Sequence, residues 1–227
     1  MRPWLAVESA TIPGETQELK LLQRGDEFSI LLGNNVLMGT RLFGSEEALA
    51  SLSAERVKKK KGAHVLIGGL GMGFTLRAAL SAFPLTTRFS VAELVPAVIA
   101  WARGPLRSVH GSSLDSSRVS IVESDVTALI RGAEAEFDAI LLDVDNGPEG
   151  LTRPSNRALY GPRGLEEARR ALCPGGVLAV WSAGPDGRFV RRLRQAGFEV
   201  EEKKVRANGK RAGGHHVIWL AVKPNER

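Results

Sequence analysis

The segment from His64 to Gly73 constrains this chain more than any other. A short apolar run, Val65 to Ile67, breaks into glycines at 68, 69, 71 and 73. A helix-forming stretch from Phe74 to Ala82 follows, and Pro84 stops it. Strand, glycine turn and helix start, in that order, form a nucleotide-type site. Glycine lets the backbone take positive φ and lets a ligand come close, while the opening turn of a helix presents free N–H groups. The dinucleotide fingerprint is G-x-G-x-x-G. Here Gly69 and Gly71 match it, but Phe74 stands where the third glycine would pack helix on strand. The turn also lacks the lysine of a Walker-type phosphate loop. S-adenosylmethionine or a relative, which fills a glycine turn without a pyrophosphate, suits it best.

From Ala63 onward, strand-like and helix-like runs alternate. Strands are expected at 64–68, 88–93, 118–123, 137–143 and 176–182, and helices at 73–83, 95–103, 126–132, 162–172 and 186–196. Such alternation implies a parallel sheet covered on both faces. Residues 198–205 and 216–222 are both strand-like with Asn208 and Gly209 between them, so the sheet closes with an antiparallel hairpin. Residues 1 to about 43 read instead as short antiparallel strands, turning at Arg24-Gly25-Asp26 and Gly33-Asn34-Asn35. Ser45 with Glu46 and Glu47 resembles the cap and acidic first turn of a helix running to about Val57.

In parallel sheets, ligands bind beyond the carboxyl ends of the strands, and the acids fall there. Glu93 ends the second strand, twenty positions after Gly73, where an acid can accept from ribose hydroxyls. Asp125 follows the third strand; it can accept from an adenine amino group or cap the next helix, and the two roles can coexist. Asp143 ends the fourth strand, with Asp145, Asn146, Gly147 and Pro148 close behind. An acid after an apolar strand, beside a second acid and a Gly-Pro turn, reads as a site more than as a fold device.

Composition narrows the class. Hydrophobic residues make up 43% of 227, enough for a globular core. No apolar stretch approaches a membrane span, and the N-terminus lacks the apolar core of a signal peptide. Cys173 is the single cysteine, so no internal disulfide can form. A soluble, cytoplasmic protein is expected, without membrane contact. The net charge of +6 permits nucleic-acid contact, but the densest patch, Lys58 to Lys61, sits at a helix end where lysines complement the dipole and stay solvated. Nucleic acid is therefore not the favoured partner. His64, His110, His215 and His216 make no metal-ligand spacing with Cys173, so no metal is assigned.

The glycine turn 68–73, the run Val91 to Ile99 around Glu93, the triplet Glu123-Ser124-Asp125, the run Phe137 to Asp143 and the Cys173-Pro-Gly-Gly turn together resemble the spermidine synthase (polyamine aminopropyltransferase) family. The resemblance implies an α/β, Rossmann-like, seven-stranded class I methyltransferase fold with a C-terminal antiparallel hairpin and a small N-terminal β-unit. On that pattern residues 1–60 form the β-hairpin unit with its linking helix, and 61–227 the cofactor-binding catalytic domain. It also implies a homodimer. Residue by residue, the family's ribose acid falls on Glu93, its adenine-contacting aspartate on Asp125, and the catalytic aspartate that deprotonates the attacking amine on Asp143. Two departures stand out. The loop aspartate that holds the aminopropyl amine in the family is Gly71 here, and only Glu46 and Glu47 stand as equivalents of the family's N-terminal groups around the polyamine.

The cofactor-binding set is therefore expected to be Gly68, Gly69, Leu70, Gly71 and Gly73 of the turn, Glu93 with Leu94, Asp125 with Val126, and Asp143. Asp143 is the expected orienting or basic group. Asp145 joins it, Asn146, Glu46 and Glu47 shape the small-molecule acceptor's pocket, and Tyr160, at the end of a long loop, either closes over the substrate or packs against the following helix. Decarboxylated S-adenosylmethionine ends in an ammonium that benefits from a carboxylate, whereas the intact cofactor carries a carboxylate that a loop aspartate would repel. Glycine at 71 removes that repulsion, so methyl transfer to a small acceptor is the leading expectation. Aminopropyl transfer and non-catalytic binding of an adenosyl cofactor are the alternatives.

Overall fold

The computed structural model describes residues 2–14, 17–144, 158–208 and 212–225. Four N-terminal strands, β1 (Leu5–Thr11), β2 (Glu18–Arg24), β3 (Glu27–Leu32) and β4 (Asn35–Gly39), form an antiparallel sheet in sequential order. Helix α1 (Gly44–Val57) leads into the main sheet. There the parallel strands β5 (His64–Gly68), β6 (Arg88–Glu93), β7 (Val119–Glu123), β8 (Phe137–Leu142) and β9 (Leu172–Ser182) are joined by β10 (Glu199–Asn208) and β11 (Ala212–Val222). The order is β10-β11-β9-β8-β5-β6-β7, with β11 antiparallel to both its neighbours. This is the Rossmann-like fold with a C-terminal hairpin that the sequence pattern and the resemblance imply.

The connecting helices are α2 (Phe74–Ala82), α3 (Pro96–Arg103), α4 (Arg107–His110), α5 (Val126–Gly132), α6 (Pro162–Ala171) and α7 (Gly187–Gln195). Strand side chains alternate faces, so β5 serves two cores. Leu66 packs with α5, α6 and α7 in a cluster that includes Ile130, Leu165, Phe189 and Trp219. Val65 and Ile67 pack with α1 and α2 through Leu49, Leu76 and Ala79. Every residue of β5 and β8 is buried, as expected for strands covered on both faces.

A third core decides where the site lies. The N-terminal sheet packs Leu21, Phe28 and Ile30 against Met72 and Phe74 beside the glycine turn and against Val98 and Trp101 of α3. Trp101 Nε1 donates to Glu8 Oε2 at 2.6 Å, and Phe43 stacks on Phe74 with centroids 4.6 Å apart. The sheet is thereby docked over the carboxyl ends of β5, β6 and β8.

Three local expectations change. Strand β9 starts at Leu172, where Leu172 pairs with Phe137 ahead of a register shift, and not at 176. Strand β1 is mostly exposed and has no apolar alternation to mark it. Ser45 does not cap α1: the helix begins at Gly44 with Phe43 in the cap position, and the Ser45 hydroxyl goes to Glu46. Of the lysine patch at the end of α1, Lys58 pairs with Glu55, and Lys60 pairs with the buried Asp138 of β8. Among the described residues no helix is long and apolar enough to cross a membrane.

Candidate active site

A cavity of about 440 Å³ lies between the N-terminal sheet and the carboxyl ends of β5–β8. The glycine turn forms its floor. Gly69, Gly71 and Gly73 all have positive φ, at 87°, 46° and 77°. A Cβ at Gly69 would lie 3.0 Å from the Asp143 carbonyl oxygen, and one at Gly71 would lie 2.9 Å from Met38 Sδ. Side chains here would therefore strain the backbone and fill the cradle together. Leu70, Leu94 and Val126 also line the cavity, whereas Gly68 ends β5 beneath it, pressed by Leu142 and Val126.

Glu93 is buried at the end of β6, where its two carboxylate oxygens are both engaged. Oε2 accepts from the Leu70 N–H at 3.0 Å and Oε1 from the Val95 N–H at 2.9 Å, tying the glycine turn to the next connection. A carboxylate oxygen has more than one lone-pair site, so Glu93 can hold the turn and still accept from a ligand hydroxyl on the same cavity. Glu93→Gln keeps one acceptor oxygen and sets an NH₂ against a backbone N–H. Affinity for S-adenosylmethionine or its decarboxylated form is expected to fall by about tenfold or more, the equivalent of about 1.4 kcal/mol, as read by calorimetric titration. An unchanged affinity would reduce Glu93 to a structural tie.

Asp125 proves to be the N-cap of α5, its Oδ1 accepting from the Thr127 N–H at 2.8 Å, and it lines the cavity as well. The capping role is thus seen directly.

Asp143 follows β8 and faces the other end of the cavity. Its Oδ2 accepts from the Thr75 hydroxyl, in the first turn of α2, at 2.7 Å. Burial pushes its pKa above the ordinary carboxylate range, and the Thr75 hydrogen bond opposes the rise. Glu46, from the start of α1, shares this end. Burial first, and then the negative charge of Asp143, raise Glu46 to about 7. Two desolvated carboxylates thus line one cavity and act on one another, and among the described residues no lysine or arginine lines it.

The structure brings together Glu46, Glu93, Asp125, Asp143 and the glycine turn. Glu47 is exposed and off the wall. Tyr160 is not brought to the cavity: it is buried in the core under α6, edge-on to Phe189 at 5.6 Å. Asp145, Asn146 and most of the long loop lie outside the described residues. Among the described residues no cluster of three or more His, Cys, Asp or Glu could hold a metal ion. Sequence reasoning missed Thr75, Ser45, Trp181 and His216, all of which line the cavity. Thr75 had a signal, a hydroxyl two residues past the last glycine of the turn; His216 had none.

Comparison with known proteins bears on this geometry. The family model described as the spermine/spermidine synthase domain matches residues 42–186. The polyamine aminopropyltransferase of Mycobacterium tuberculosis is 33% identical over 194 residues, covering 81% of this chain and 35% of that protein. The chain thus spans little more than a third of that relative's length. The polyamine aminopropyltransferase of Sulfolobus acidocaldarius is 25% identical over 122 residues, covering 54% of this chain and 39% of that protein. Among solved structures, spermidine synthase from Thermotoga maritima superposes with a TM-score of 0.76 at 21% identity, covering 97% of this chain and 74% of that one. A spermidine synthase in complex with the transition state analogue AdoDATO gives 0.74 at 20% identity, covering 97% and 73%. At these identities the structural likeness speaks to the fold.

Proposed function

The chain belongs to the spermine/spermidine synthase domain family, and on that premise we propose that it is a polyamine aminopropyltransferase. The reaction moves an aminopropyl group from decarboxylated S-adenosylmethionine to an amine acceptor. The observation that carries this reading is the pairing of Glu46 with Asp143 at one end of a cavity whose other walls hold Glu93 and Asp125. The donor ends in an ammonium, and two carboxylates beside the glycine turn favour it. The same pair would repel the carboxylate of intact S-adenosylmethionine.

This reverses the preference for methyl transfer drawn from Gly71. The loop position lacks an acid, and Met38 occupies the space above it, but α1 delivers Glu46 to the same cavity. The relatives, named as aminopropyltransferases, favour the same reversal. The residues present suit the donor: the glycine cradle admits a ligand against backbone, Glu93 and Asp125 offer acceptors to ribose and adenine, and Asp143 lies at the transfer end. The donor supplies an electrophilic carbon already activated by its sulfonium. The protein's part is then to align the acceptor nitrogen and take its proton, for which Asp143, held by Thr75, is placed.

Incubation with decarboxylated S-adenosylmethionine and putrescine, followed by chromatography, tests the reading. Formation of an aminopropylated amine together with the nucleoside thioether is the expected result. Methylation of amines from the intact cofactor, with no product from the decarboxylated one across a panel of diamines, would overturn it.

A further inference from the structure

Behind Glu46 runs a hydrogen-bonded line that the aspartate-centred account does not use. Ser45 is 1% exposed, and its hydroxyl lies 2.6 Å from Glu46 Oε2. On its other side, Ser45 Oγ lies 2.9 Å from Nδ1 of His216. A serine has one proton to give. With Glu46 ionised that proton goes to Oε2, so Ser45 must accept from His216, which therefore carries its proton on Nδ1. His216 stands on β11 opposite Val205, and its ring is edge-on to Trp181 with centroids 4.8 Å apart. Burial lowers its pKa, which suits a neutral ring with a single N–H. Helix α1 and strand β11, 171 residues apart in the chain, thus meet to orient one carboxylate.

The charges acting on Glu46 are Asp143, at the same end of the cavity, and Glu47 on its own helix, both negative. Two close carboxylates in a desolvated site titrate as a pair and readily share one proton. We propose that Glu46 works with Asp143 in taking the proton released by the acceptor amine, and that Ser45 and His216 are positioning residues that hold its carboxyl at the transfer end. The proton-accepting role rests on the aminopropyl-transfer reading; the positioning line does not. In the reaction the acceptor enters as R–NH₃⁺ and gives one proton to the pair. The freed nitrogen lone pair attacks the propyl carbon, the C–S bond breaks with its electrons going to sulfur, and the products are a secondary ammonium and a neutral thioether. The proton on the pair then leaves to solvent, so charge and atoms balance.

The test combines carboxyl ¹³C NMR titration of glutamate-labelled protein with the pH profile of kcat/KM for aminopropyl transfer. Wild type is expected to show Glu46 titrating close to neutrality and an acid limb of the rate profile in the same range. Ser45→Ala removes a hydrogen bond to the ionised form, so both midpoints should move to higher pH by about tenfold in acidity. His216→Phe should move them the same way, and His216→Asn, whose amide N–H can replace Nδ1–H, should return them towards wild type. Glu46→Gln should lower kcat by about 10²-fold and also raise the KM for the donor, because the same carboxylate faces the donor's ammonium. Glu46 titrating in the ordinary carboxylate range, or midpoints unmoved by Ser45→Ala and His216→Phe, would overturn the positioning line. Shifted NMR midpoints in a protein that transfers no aminopropyl group would keep the line and remove both the proton-accepting role and the function proposed above.

Discussion

Asp143→Asn is expected to lower kcat for aminopropyl transfer by about 10²- to 10⁴-fold, the range in which a positioned acid or base contributes. Asparagine has the shape of aspartate and an oxygen that can still accept from the Thr75 hydroxyl, 2.7 Å away in the native site. It cannot take a proton, and it offers no charge to an ammonium. The loss should therefore appear in turnover while the fold is untouched. Stability should not fall, because burial already works against the charged form of this carboxyl, and the neutral amide is spared that cost. Single-turnover rates at saturating donor, with thermal melts of both proteins, check the two halves separately. A loss smaller than tenfold would move the proton-accepting role away from Asp143, with Glu46 as the nearest remaining carboxylate at that end.

The second large effect is on the glycine turn. Gly73→Ala is expected to cost about 3 kcal/mol or more, combining a backbone strain of about 1–3 kcal/mol with overpacking of about 1–3 kcal/mol. Gly73 has φ of 77°, and a Cβ there would fall 2.3 Å from His110 Nδ1 and 2.4 Å from its Cε1. His110 cannot retreat easily, because it is fully buried at the end of α4. The turn and the first residue of α2 would have to shift, and the donor cradle with them. For a chain of this size, 3 kcal/mol corresponds to a fall in Tm of roughly 6–12 °C. Gly33→Ala is the control: its φ is 59°, but nothing lies within 4 Å of the added carbon, so only the backbone cost applies. The double variant Gly73→Ala with His110→Ala should recover part of the loss. If Gly73→Ala melted no lower than Gly33→Ala, the packing of His110 against the turn would not be the constraint described.

How far the sequence could be read depended on the range of each signal. Glu93, Asp125 and Asp143 were legible because each acid ends a strand or follows one within two residues, and the sheet rule places such residues on one rim. The glycine turn was legible for the same reason: its requirements are local. His216 was not, because it reaches the cavity only by the insertion of β11 between β10 and β9, which no spacing in the chain records. Tyr160 could not be decided from sequence, since closeness to a loop says nothing about which face a side chain takes; it turns into the core against Phe189. The inference from Gly71 rests on the loop alone. The missing loop acid was real, but the charge at that end of the cavity depends on Glu46, which arrives from another element and was weighed separately.

The central claim is that Glu46 and Asp143 select a donor ending in an ammonium and reject one carrying a carboxylate as well. Calorimetric titration with decarboxylated and intact S-adenosylmethionine, side by side at pH 8 where Glu46 is mostly ionised, tests it directly. Tighter binding of the decarboxylated form by about tenfold or more, roughly 1.4 kcal/mol, is the result this account predicts. Equal affinities, or preference for the intact cofactor, would contradict it and return methyl transfer to the front.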